Sequence, residues 1–169
     1  MKMPYRRSIW KHDAHYKPLP TPADGADINL MARLQSIEAA KKHTPVIPIA
    51  QLFTLATELK SPPRLRGLDG AKFAAYLHRL CVYGCGVKTA VCMLAVVSKG
   101  TFPPMDKKLA AGLLKKRWIT AHQAKALNGI DVKKFSMVYV ERVIPRWIEA
   151  RSCGDRPAEI DERWAGWAT

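Results

Sequence analysis

VYGCGVKTAV, residues 82–91, joins two apolar-periodic stretches, and the reading of that junction decides the fold. Upstream, DGAKFAAYLHRLCVYG (69–84) sets Phe73, Ala74, Leu77 and Leu80 on one side of a helix. It ends at Gly84, a residue suited to the left-handed conformation that closes a helix. Downstream, VKTAVCMLAVVSKG (87–100) is apolar nearly all round, the mark of a helix buried at the centre of a domain. The junction is therefore a tight hairpin between two helices, in which Gly84 and Gly86 allow torsions and close approaches that side chains forbid. Backbone N–H groups of such a turn, continuing through Val87 and Thr89, carry the positive end of the helix dipole and can hold a phosphate. A compact connection with no ligand uses the same glycines, so the glycines alone do not separate the two.

Outward from the hairpin the chain reads as helices. INLMARLQSIEAAKK (28–42) spaces Leu30, Leu34 and Ile37 for one buried face, with Asp27 as its N-cap. IAQLFTLATELK (49–60) repeats the pattern through Leu52, Leu55, Ala56 and Leu59 and stops at SPPRLRG. DKKLAAGLLKKRW (106–118) opens on an acid and closes on cations, matching the helix dipole at both ends, although Gly112 in its middle has no reason visible in the sequence. TAHQAKALNG (120–129) is a short helix capped by Thr120 with Gly129 beyond its end. DVKKFSMVYVERVIPRWIEARSCG (131–154) is a long one that Pro145 must kink or divide. No useful alternating strand pattern and no internal repeat occurs, so the expected class is all-α. The expected organisation is an irregular basic, proline-bearing arm over 1–26, a helical domain over 27–153 and a C-terminal tail over 154–169.

Lys and Arg total 28 against 14 for Asp and Glu, a formal charge of +14 that favours polyanionic partners. The cations interleave with helical apolar positions, which puts them on folded faces and points to nucleic acid ahead of a membrane surface. Lys107, Lys108, Lys115 and Lys116 follow the acid at 106 and are candidates to line a phosphate groove; a solvated helix face is the alternative. No apolar run has the length of a signal peptide or membrane span, so the expectation is a soluble, cytoplasmic protein, nucleoid-associated in a prokaryote. Cys81, Cys85, Cys92 and Cys153 form no CxxC pair, and His12, His15, His43, His78 and His122 show no metal spacing, so no metal is assigned. The first three cysteines read as small apolar fillers.

The run GCGVKTA resembles the hairpin of the helix-hairpin-helix DNA glycosylases, the group that includes endonuclease III and MutY. Asp106 follows Lys88 by eighteen positions, the endonuclease III spacing, and SKGTFPPMDKKLAAGLLK resembles the MutY stretch in which a glycine and a Phe-Pro pair lead into an aspartate and a basic helix. The resemblance spans roughly residues 70–116. It implies an all-α helix-hairpin-helix glycosylase-like fold, duplex or single-stranded DNA as partner, and base excision with or without strand cleavage. It further implies Lys88 as amine nucleophile, Asp106 as the required carboxylate, and Gly84 and Gly86 as the phosphate grip. The family's iron–sulfur members carry four clustered cysteines after the aspartate; only Cys153 stands there, so no cofactor is implied. The region before the hairpin is shorter than in familiar members, which leaves the excised base open.

These residue types suit the chemistry. Breaking an N-glycosidic bond builds positive charge on the sugar, which a nearby carboxylate stabilises. A lysine amine is nucleophilic only when neutral, a state that burial among apolar residues favours. A stacked base must be flipped out first, and an aromatic such as Tyr83 is a candidate to stack on it, packing in the core being the alternative. Singly, Asp106 is equally an N-cap and Lys88 equally a phosphate contact. Two rival functions stay open: a DNA-binding module that keeps the hairpin without chemistry, and an interaction domain that meets a protein partner through DRPAEIDERWAGWAT (155–169), with its two tryptophans.

Overall fold

The computed structural model describes residues 49–82 and 85–169. The arm over 1–26, the helix expected from Asp27, Tyr83 and Gly84 lie outside the described residues. Within them the chain is helical, and no strand occurs. We number the helices α1 (Ile49–Leu59), α2 (Gly70–Cys81), α3 (Val87–Val97), α4 (Lys107–Lys115), α5 (Ala121–Asn128), α6 (Val132–Val138), α7 (Ile144–Ser152) and α8 (Pro157–Gly166).

Local chemistry sets the starts. The side chain of Asp69 accepts from Lys72 N, that of Asp106 from Leu109 N, and that of Asp131 from Lys134 N, each satisfying an otherwise orphaned donor of a first turn. Thr120 does so for α5 in a reciprocal box with Gln123. Pro145 divides its segment as expected, by way of a π turn. Because proline has no N–H to give the carbonyl four residues back, the chain widens over Tyr139–Val143, and Ile144 N–H bonds to Tyr139 O five residues earlier.

Helix α3 is the centre of the core. Val87 and every residue from Thr89 to Val96 are buried, as its all-round apolar sequence demands. Helices α1 and α2 contact it, and α2 lays its Phe73, Leu77 and Leu80 inward while packing most extensively against α6. An aromatic stack carries this packing: Phe73 lies 4.9 Å from Tyr139 and 6.1 Å from Phe102 between ring centroids, and Tyr139 lies 5.4 Å from Phe135.

The C-terminal segment is a helix docked on the domain. The Glu159 carboxylate accepts from both the backbone N–H and the Nε of Arg156 around Pro157, and α8 packs against α4. Trp164 is buried edge-on to Trp118 and Trp147. Gly112 now has its reason: a Cβ there would run into the backbone carbonyl of Trp164, so the glycine is what lets α8 lie so close. A similar approach occurs at Gly100, whose φ is +79° and whose missing Cβ makes room for Pro157. Among the described residues no helix is long and apolar enough to cross a membrane.

Candidate functional site

Lys88 and Asp106 line the same cleft, about 400 Å³ in volume. Its lining comes from the start of α3, Gly86 through Thr89, from Asp106 and Lys107 at the start of α4, and from the end of α5 and the turn after it, Asn128 through Ile130. Lys88 lines the cleft as the half-buried residue of a first turn whose neighbours Val87 and Thr89 are buried. Asp106 is likewise half-buried, and its Oδ1 accepts from Leu109 N at 3.0 Å. The N-terminus of α4 thus holds the carboxylate in place and puts the positive end of a helix dipole beside it.

Three core side chains hold the loop that carries Asp106. Trp147 Nε1 donates to Gly100 O at 2.7 Å, the Tyr139 hydroxyl donates to Pro103 O, and Cys92 Sγ donates to Met105 O at 3.5 Å. The loop's carbonyls are thereby satisfied by α3, the π turn and α7, and Phe102, Pro103, Pro104 and Met105 are all buried. Burial, with the Cys92 thiol adding to it, holds the Tyr139 phenol well above its ordinary range, so it stays a donor to Pro103. None of these three positioning residues was found by motif. Their signal was chemical: a tyrosine and a tryptophan on an apolar helix face need a polar partner when buried.

Gly86 corrects one reason given for the hairpin glycines. Its φ of −74° is ordinary, and nothing lies within 4 Å of where a Cβ would stand. The fold itself does not require glycine at this position; the space in front of its backbone is open.

Of the cations expected to face a phosphate groove, Lys107 lies on the cleft. Lys108 is exposed on the next position of α4. Lys115 and Lys116 sit at the far end of that helix and face the C-terminal segment: Lys115 Nζ donates to Thr169 O at 2.9 Å, and Lys116 Nζ lies 4.9 Å from the Trp167 ring centroid. Asn128, Gly129 and Ile130 are cleft residues the sequence reading did not single out; only the NG turn signal marked their loop. Cys85 and Cys92 are buried, Cys81 half-buried and Cys153 exposed, all as free thiols. No three His, Cys, Asp or Glu side chains converge as a metal site among the described residues.

Compared with known proteins, the chain matches no family model, no curated protein and no solved structure.

Proposed function

We propose that the chain is a DNA glycosylase of the helix-hairpin-helix kind, acting on a flipped nucleotide held between Lys88 and Asp106. The observation that supports the reading is that both residues, one bearing a primary amine and the other a carboxylate, line one cleft at the N-termini of two helices. The excess of cations supports an anionic polymer as the partner. In the reaction the bond between the base and the sugar C1′ breaks as Lys88 Nζ forms a bond to C1′. The base leaves with the electron pair and takes up a proton from solvent, and the amine proton passes to Asp106. The nitrogen lone pair then breaks the C1′–O4′ bond, O4′ takes the proton back from Asp106, and a protonated imine between Lys88 and the sugar results, from which strand cleavage can follow. If water rather than Lys88 is the nucleophile, Asp106 orients it and no imine forms.

The test is to mix the protein with duplex DNA carrying one abasic site, add borohydride and look for a covalent adduct on a denaturing gel. An abasic site bypasses the unknown base. A band that disappears in Lys88→Gln is the expected result. Absence of a band together with absence of base release across modified-base duplexes overturns the reading in favour of a DNA-binding module, which the capping role of Asp106 equally serves.

A further inference from the structure

Ile130, at the tip of the α5–α6 loop, is 93% exposed, the most exposed large hydrophobic side chain among the described residues. Isolated exposed apolar residues are ordinary on protein surfaces, but this one is not isolated. It lines the Lys88–Asp106 cleft on one side and, on the other, an apolar cavity of about 490 Å³ whose lining includes Met137 and Val138. The rim of this surface is cationic, with Lys107, Lys125 and Lys134 around it. The acid in the loop, Asp131, caps α6 through Lys134 N. A partner that fits must be anionic at its edges and present flat apolar faces within them, which is the chemistry of duplex DNA opened at one base step.

We propose that Ile130 inserts into the base stack of duplex DNA lying across the cleft and fills the place of the nucleotide drawn toward Lys88 and Asp106. The position of the vacated base rests on the glycosylase reading; the insertion itself does not. Flipping leaves a gap whose neighbours have lost stacking, and a branched aliphatic side chain restores part of that contact. Because Ile130 has so little contact with the rest of the protein, replacing it removes the insertion without opening a hole in the core.

The experiment uses the whole chain, duplex DNA with one abasic site and 2-aminopurine beside that site, and four proteins: wild type, Ile130→Leu, Ile130→Ala and Ile130→Gln. Fluorescence of the 2-aminopurine reports disturbed stacking, and borohydride trapping on wild type and Lys88→Gln is run alongside. The expected result is a fluorescence change with wild type and Ile130→Leu that is lost with Ile130→Ala and Ile130→Gln, together with roughly tenfold or greater weakening of binding to that duplex. Equal fluorescence in all four overturns the insertion, and trapping through Lys88 then still upholds the glycosylase reading. An Ile130-dependent signal without any trapping upholds the insertion and counts against Lys88 as the nucleophile. A concentration-dependent dimer that Ile130→Gln abolishes, with no fluorescence response to DNA, overturns the proposal in favour of a second copy as the partner.

Discussion

The Tyr139 hydroxyl donates to the carbonyl of Pro103, three residues ahead of Asp106, across thirty-six positions of sequence. Both groups are buried, so removing the donor leaves a carbonyl without water to replace it. Tyr139→Phe keeps the stack with Phe73 and Phe135 but costs about 1–3 kcal/mol in urea unfolding. If Asp106 acts on DNA, the same variant slows single-turnover trapping at an abasic site while the affinity for duplex DNA stays unchanged, because the loop it loosens carries the carboxylate rather than a phosphate contact.

Stability falls in alkali, with a sign fixed by burial. Tyr139 and Tyr76 are held above the ordinary phenol value of 10.0 by desolvation, helped at Tyr76 by Glu58 and opposed there by Arg79. Desolvation also pushes the Cys81 thiol up from 9.0 to about 11. Each is an acid whose neutral, protonated form the fold prefers. Its contribution is complete below the unfolded-state value and is lost as pH rises from there through the folded-state value. The expected profile from urea titrations is flat from neutral pH to about 9 and declines above it. Tyr139→Phe, starting lower, shows a shallower decline.

Gly112→Ala tests the contact between α4 and α8. The added methyl cannot coexist with the Trp164 carbonyl where it stands, so α8 must move outward and take Trp164 from its place between Trp118 and Trp147. Overpacking of this kind costs about 1–3 kcal/mol. Faster proteolysis near residues 153–157 and a shift of tryptophan emission to longer wavelength are expected; unchanged emission and stability would show that the two helices separate without strain.

Gly112 also marks where the sequence stops being readable. Starts and buried faces of α1 to α5 follow from spacing and from Asp106 and Thr120, which are local signals. The division of the segment after Asp131 followed from one missing N–H at Pro145, although its π form depended on which carbonyl the chain could still reach. The helix at 157–166 carried a Pro start and a Glu three positions after its cap, yet its place against α4 depended on a glycine far away in sequence. Of the residues lining the candidate cleft, Lys88 and Asp106 were picked out through the resemblance and its spacing. Asn128 to Ile130 were not, because nothing local brings that turn to the start of α3.

Gly86→Ala separates the needs of the fold from those of a ligand. With φ at −74° and open space in front, alanine fits; the smaller freedom of the unfolded chain is offset by the loss of glycine at the N-cap of α3, so stability changes by less than about 1 kcal/mol. A phosphate approaching the amides at the start of α3 would meet the new methyl, so affinity for duplex DNA falls by more than this change in stability accounts for. Equal affinity in the two proteins, measured by fluorescence anisotropy at one fixed salt concentration, would remove the hairpin from the DNA contact.

Asp106 caps α4, the glycosylase reading gives its carboxylate a second job, and the two substitutions Asn and Ala separate the two. Asparagine caps a helix about as well as aspartate, so Asp106→Asn retains the bond to Leu109 N and leaves unfolding nearly unchanged, whereas Asp106→Ala loses about 1 kcal/mol. Neither the amide nor the methyl can accept the amine proton or balance charge on the sugar. Both variants therefore slow covalent trapping at an abasic site by about a hundredfold or more, the scale of removing one electrostatic group from a reacting centre. Trapping that follows stability instead, normal in Asp106→Asn and reduced only in Asp106→Ala, would mean that Asp106 serves the helix and not the reaction.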